Sequence, residues 1–208
     1  MSYDHFLSYL KCCFVYYSFF PKNYLIDKLT WIQLWIAQGF IQLPEKNKEL
    51  EDIANKWFMD LHWRSFFQEV EKDEGMNTKF KMHDLIHDLA LSISRSECAL
   101  VNSNANNVST FIRKNLSTLV KANKLRTFIL ACDPWVNVGE TMEESTLKTL
   151  ISSFRYLRAL DLHGLKINIL SNIIGTLMHL KYLDLSFNDI EVLPSSITKL
   201  VNLQTLKL

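Results

Sequence analysis

Glycine is scarce in this 208-residue chain: only Gly39, Gly75, Gly139, Gly164 and Gly175 occur, and the closest two stand eleven positions apart. A Walker-type loop needs closely spaced glycines ahead of a lysine, and a dinucleotide fingerprint needs a tight cluster of them. The residues that follow the five glycines are Phe40, Met76, Glu140, Leu165 and Thr176, so neither pattern exists. The chain by itself offers no glycine loop for a nucleotide's phosphates. Excess charge is also missing, with 23 Lys+Arg against 22 Asp+Glu. That balance excludes a protein built mainly to neutralise nucleic-acid phosphates. Residues 1–94 carry 10 basic and 13 acidic side chains, and residues 95–208 carry 13 and 9. The four cysteines, Cys12, Cys13, Cys98 and Cys132, match no zinc or redox spacing and are expected to be reduced and mostly buried. The densest apolar stretch, Cys12 to Phe20, is too short to span a bilayer. No secretory leader is evident, so a cytoplasmic location is expected, and the Asn107 and Asn115 glycosylation patterns are read as chance.

What is present is 48% apolar and 22% charged, as in ordinary globular domains. Between Ser2 and Phe20, Phe6, Leu10, Cys13, Phe14 and Tyr17 recur at helical spacing until Pro21 stops the run. Asp27 is placed to cap a second helix through Gln38, with Gly39 at its end. A third helix, Lys48 to Arg64, aligns Leu50, Ile53, Ala54, Trp57, Phe58 and Leu61. The period then shortens to that of strands, giving a hairpin from Ser65–Glu71 and Thr78–Met82 around Lys72-Asp73-Glu74-Gly75. A fourth helix from His83 to about Ser94 places Leu85, Ile86, Leu89, Ala90 and Ile93 as its apolar set. Trp31, Trp35, Trp57 and Trp63 are expected in the core. This element order is that of a winged helix-turn-helix domain.

The last third contains a repeat. Leu157, Leu160, Leu162, Ile167, Leu170, Ile174 and Leu177 are matched position for position by Leu180, Leu183, Leu185, Ile190, Leu193, Ile197 and Leu200, and Leu203, Leu206 and Leu208 begin again. The period of 23 lies within the leucine-rich-repeat range. The second unit ends on Asn188, whose amide is expected to bond the turns of successive coils; Leu165 stands at that position in the first. Leu125, Phe128 and Leu130 suggest a degenerate earlier unit, followed by an insertion from Cys132 to Thr149. Arg158, Ala159, Asp161, Lys181, Tyr182, Asp184, Gln204 and Thr205 are the intervening positions, expected on the concave, partner-facing side. The fold expected is α+β, mainly helical in its N-terminal half: a winged-helix domain over 1–94, a Ser- and Asn-rich linker over 95–123, and the start of a leucine-rich-repeat solenoid over 124–208.

The N-terminal half also carries longer signatures. Residues Leu10 to Tyr24, running into Leu34-Trp35-Ile36-Ala37-Gln38-Gly39-Phe40-Ile41, then Arg64-Ser65-Phe66-Phe67-Gln68 and Lys81-Met82-His83-Asp84-Leu85-Ile86-His87-Asp88-Leu89-Ala90, stand in order. Together with the repeats they resemble the plant disease resistance proteins that couple a nucleotide-binding region to leucine-rich repeats. The resemblance implies a non-enzymatic immune receptor segment, in which ADP holds a closed state. It further implies that His83, flanked by Met82 and Asp84, reaches the ADP β-phosphate while an upstream nucleotide-binding domain supplies the glycine loop. The repeats would then sense a pathogen effector or a guarded host protein and restrain activation. On this view the chain starts inside the nucleotide-binding region and stops on an uncapped repeat strand.

Other readings attach to the same residues. His83 and Asp84 could simply cap the fourth helix. His83-Asp84-x-x-His87 resembles a zinc-protease pattern, but Asp is a methylene shorter than the glutamate such a base requires. A DNA-binding winged helix is disfavoured because Lys48, Lys56 and Arg64 share the third helix with Glu49, Glu51, Asp52 and Asp60. A stand-alone leucine-rich-repeat interaction scaffold is the alternative function.

Overall fold

Aromatic residues set the N-terminal unit, because its helices and a small sheet must close over side chains as large as Trp31 and Trp35. The computed structural model describes residues 8–41, 49–72, 78–93, 98–102, 108–121, 124–131 and 141–208. The chain divides into two units, Met1–Arg95 and Ser96–Leu208. The first contains α1 (Ser8–Tyr17), β1 (Ile26–Asp27), α2 (Lys28–Gln38), α3 (Leu50–Trp63), β2 (Phe67–Lys72), β3 (Thr78–Met82) and α4 (Asp84–Ile93). The three strands form an antiparallel sheet in the order β1-β3-β2, with Ile26 opposite Phe80 and Phe67 opposite Met82.

Local chemistry fixes the helix ends. Asp27 Oδ2 accepts from Thr30 N at 2.8 Å and caps α2. Gly39, at φ 76°, ends α2 in a Schellman pattern: Gly39 N donates to the Ile36 carbonyl and Phe40 N to the Trp35 carbonyl. Between these ends α2 buries Trp31, Ile32, Leu34, Trp35 and Ile36. Tyr17 meets Trp31 edge-on, Trp35 leans on Phe58, and Phe58 stacks on Phe67 and meets Phe80 edge-on. Each such pair adds about 0.5–1.5 kcal/mol beyond area burial.

Several expectations about this unit change. Trp63 is 80% exposed, so it is not a core tryptophan. Helix α4 turns Ile86, His87 and Ala90 inward, which leaves Leu85, Leu89 and Leu91 on the outside. Cys13 is buried, and that burial, with Cys12 beside it, pushes its thiol well above the usual range, whereas Cys12 is exposed. The hairpin turn at Asp73-Glu74-Gly75, the first residues of α1's expected run, and Ser94 lie outside the described residues.

The second unit is a five-stranded parallel sheet in sequence order: β4 (Cys98–Asn102), β5 (Thr127–Ala131), β6 (Ala159–Asp161), β7 (Tyr182–Asp184) and β8 (Thr205–Lys207). Helices α5 (Val108–Lys121) and α6 (Glu144–Ser153) precede β5 and β6 in the chain, and short 3-10 turns at Asn172–Thr176 and Ser195–Lys199 precede β7 and β8. The repeat leucines are the core. Leu157, Leu160, Leu162, Ile167, Leu170, Ile174 and Leu177 are all buried, as are Leu180, Leu183 and Leu185 of the next coil. The degenerate unit at Leu125 and Phe128 joins them through β5, in register with β6 from Thr127 opposite Ala159.

The segment expected as a linker over 95–123 is corrected. It carries β4, paired with β5, and the fourteen-residue α5, which buries Ile112 and leans Leu116 and Leu119 on the same core. Those three residues have helical spacing. Their polar neighbours Asn115, Ser117 and Thr118 obscured it in the sequence.

Candidate functional site

The junction between β3 and α4 holds Met82, His83 and Asp84, and its geometry follows from a shortfall in the sheet. Strand β1 is two residues long and pairs only with Phe80 and Lys79. Continuing the same register would set Tyr24 opposite Met82. There the Tyr17 hydroxyl intervenes: it accepts from Met82 N at 3.1 Å and donates to the Tyr24 carbonyl at 2.6 Å. One side-chain oxygen thus occupies the place of a missing ladder bond, satisfying two main-chain groups that burial would otherwise penalise. Burial pushes the Tyr17 hydroxyl up to about 12, although its bond from the Met82 amide acts in the opposite sense.

The other side of the junction is held by β2 and α1. His83 N donates to the Phe66 carbonyl at 3.2 Å, and the His83 carbonyl accepts the first bond of α4, from His87 N at 2.9 Å. One turn on, the buried His87 ring donates from Nε2 to the Phe20 carbonyl at 2.7 Å and meets Tyr17 edge-on. Its Nδ1 is buried without a hydrogen-bond partner. An exposed pair, Lys22 and Asp88 at 2.6 Å, closes the same seam on the surface.

The three expected residues therefore differ in position. Met82 is 1% exposed and belongs to the core, so its side chain is not presented outward; it anchors the segment. His83 and Asp84 are exposed. Asp84 stands in the first turn of α4, where the helix dipole favours a carboxylate. The N–H groups of Asp84, Leu85 and Ile86 precede the helix's first internal bond, a disposition that suits an anion. His87 faces inward while His83 faces outward, so the two histidines do not converge as metal ligands would. Among the described residues no group of three or more His, Cys, Asp or Glu side chains could hold a metal ion.

Elsewhere in this unit, a cavity of about 290 Å³ between the starts of α2 and α3 is lined by Asp27, Glu51 and Asp52 against one Lys28. That excess of carboxylates disfavours an anionic ligand there. Arg64 pairs with Asp60 at 3.2 Å.

In the repeats the Asn188 side chain ties two coils together. Its Oδ1 accepts from Ile167 N at 3.0 Å, and its Nδ2 donates to the carbonyls of Leu162 at 2.9 Å and Leu185 at 2.8 Å. Leu165, at the same position one coil earlier, is buried, and its turn is tied instead by Gly164 N to the Ser186 carbonyl and Met142 N to the Leu165 carbonyl.

The expected partner-facing positions are less open than their pattern implies. Ala159, Asp161, Tyr182 and Asp184 are buried. The row covers itself: Lys207 lies over the Tyr182 ring, and the Tyr182 hydroxyl donates to Asp184 Oδ2 at 2.9 Å. Burial opposes ionisation of Asp184, but bonds from the Ser186 hydroxyl and amide, the nearby Lys207 and the Tyr182 hydroxyl hold its carboxyl below the usual range. Asp161 repeats the arrangement with His163, whose backbone N and Nδ1 lie 3.0 and 2.6 Å from Oδ1. Gln204 remains exposed, with Arg158, Lys181 and Thr205 half-buried.

Sequence reasoning missed Tyr17 and His87 as the residues that seat the junction. Tyr17 entered as one member of a helical stripe and of the Leu10–Tyr24 signature, and its partner Met82 lies 65 positions away. His87 was visible as a member of the Lys81–Ala90 signature and as the second histidine of a metal-like spacing, neither of which gives it a structural partner.

Comparison with known families gives two matches. Residues 19–90 match the disease resistance protein winged helix domain, and residues 136–208 match a leucine-rich repeat region. The chain is similar to the disease resistance protein RGA2 of Solanum bulbocastanum, 51% identical over 84 residues, which is 40% of this chain and 8% of that protein. It is also similar to the disease resistance protein RPM1 of Arabidopsis thaliana, 32% identical over 177 residues, covering 77% of this chain and 18% of that protein. The chain thus spans less than a fifth of either relative's length. No described helix is long and apolar enough to cross a membrane.

Proposed function

Since the chain belongs to the plant disease resistance proteins, with their winged helix at residues 19–90 and their leucine-rich repeats at 136–208, we propose that it acts as the latch and sensor segment of a cytoplasmic immune receptor. It is read as a switch component and not as an enzyme. The observation that carries this reading is the separation of roles at the β3–α4 junction. Met82 is sunk in the core, while His83 and Asp84 stand outside it at the start of a ten-residue helix.

That corner suits an anionic oxygen: an imidazole donor beside main-chain N–H groups at a helix N-terminus. It is read as one contact to a nucleotide and not as its whole site, because the five glycines form no phosphate-loop motif. ADP therefore binds only when an upstream nucleotide-binding domain is joined to this chain, with His83 toward the β-phosphate and Asp84 ordering the first turn. ADP would supply the anion that holds the two domains closed, and its loss would free the winged helix. The leucine-rich repeats, extending as a solenoid, would present Arg158, Lys181 and Gln204 to an effector or guarded host protein. Such a partner shifts the balance only as far as its affinities for the closed and open states differ.

The reading is tested by joining this chain to the nucleotide-binding domain of a disease resistance protein and measuring ADP release. His83→Ala should release ADP at least ten-fold faster than the unaltered protein, and equal rates would refute the latch.

A further inference from the structure

We infer that Tyr17 and His87 are positioning residues for the Met82–Asp84 segment, tying it to the end of α1 and the Pro21 turn. The inference rests on the latch reading for its functional meaning, but the anchoring itself stands on independent geometry. Two bonds from separate side chains converge on the two sides of His83. On its N-terminal side, Met82 N reaches the Tyr24 carbonyl only through the Tyr17 hydroxyl. On its C-terminal side, the His87 imidazole fixes the first turn of α4 to the Phe20 carbonyl. Phe20 and Tyr24 flank Pro21, and Tyr24 N donates back to the Pro21 carbonyl at 3.1 Å. Both anchors therefore end on one short turn.

The choice of a hydroxyl matters. A direct Met82-to-Tyr24 ladder bond would need β1 to extend back through Leu25, which is exposed. A side-chain relay keeps β1 short and brings α1 into the hydrogen-bonded chain. Any displacement of α1 or the Pro21 turn must then move Met82 and, with it, His83. The turn is a route by which movement elsewhere in the winged helix reaches the exposed histidine.

The test uses amide hydrogen exchange on the 208-residue chain, with Tyr17→Phe, which keeps the ring and removes only the hydroxyl. The Met82 amide should exchange at least ten-fold faster in the variant while the Phe80 amide keeps its rate. An unchanged Met82 rate, or Met82 and Phe80 accelerating together, overturns the inference. So does a Met82 amide that already exchanges as fast as an exposed one in the unaltered chain, a check that requires no variant. With a nucleotide-binding domain joined, Tyr17→Phe should also release ADP about three- to ten-fold faster, with His83 still in place. Equal ADP release in Tyr17→Phe and the unaltered protein, while His83→Ala releases it faster, defeats the positioning role and leaves the latch. Equal release in His83→Ala defeats the latch, and the exchange of Met82 still decides the anchor.

Discussion

The Tyr17 hydroxyl lies between Met82 N, at 3.1 Å, and the Tyr24 carbonyl, at 2.6 Å, where the register of β1 against β3 would otherwise place a direct main-chain bond. A residue near the start of the chain thereby becomes part of the strand that leads into His83. Neither Tyr17 nor Met82 touches solvent appreciably, so water does not replace the bond between them.

Removing that hydroxyl should weaken the fold and change its alkaline behaviour. Tyr17→Phe leaves the buried Met82 N–H and the half-buried Tyr24 carbonyl without their shared partner, a loss of about 1–3 kcal/mol. The raised value of about 12 for Tyr17 adds a pH signature. A group whose folded value exceeds its unfolded one, about 10 for tyrosine, contributes fully below the unfolded value and loses that contribution as pH rises through the folded one. Urea unfolding of the unaltered chain should therefore show stability falling between about pH 10 and pH 12 more steeply than in Tyr17→Phe. Parallel slopes would contradict the assignment.

Asn188→Ala should be among the most damaging single changes in the repeats. It removes the acceptor for Ile167 N and the donor for the Leu162 and Leu185 carbonyls, leaving turn groups of two adjacent coils unsatisfied. A loss of about 2–4 kcal/mol is expected from several bonds at about 1 kcal/mol each plus the desolvation cost. Thermal unfolding measures it; a change under about 0.5 kcal/mol, the ordinary effect of a surface substitution, would show that the ladder is dispensable.

Phe187→Gly should stabilise the chain. Phe187 sits at φ 57° and is 74% exposed, so it carries left-handed strain with little packing in return. Gly164, the equivalent residue one coil earlier, adopts φ 66° without that penalty. The strain of a side chain in this region is about 1–2 kcal/mol, part of which is offset by the greater freedom of glycine in the unfolded chain. Denaturant titration should show a net gain of about 0.5–1 kcal/mol. A loss of stability would mean that the phenyl ring makes contacts worth more than the strain.

How far the sequence discloses this molecule depends on the range of the interaction. The caps of α2 were legible because Asp27 and Gly39 act on residues within a turn of themselves. The 23-residue period was legible because each leucine repeats the same local environment. Helix α5 was hidden since the residues seen to mark its buried side, Ile112, Leu116 and Leu119, lie within a segment dominated by serine and asparagine. The closure of the concave row was hidden for another reason: Tyr182 and Asp184 look exposed by alternation, and Lys207, which reaches both, comes from the neighbouring strand. At the candidate site, the motif named His83, but the burial of Met82 and the roles of Tyr17 and His87 arise from pairings that no local pattern encodes.

The most direct measurement of the central claim is the rate of ADP release from this chain joined to a nucleotide-binding domain, compared between the unaltered protein and His83→Ala. The account predicts release at least ten-fold faster in the variant, with unchanged thermal stability of the winged helix, because the His83 side chain is exposed. Identical release rates in the two proteins would contradict it.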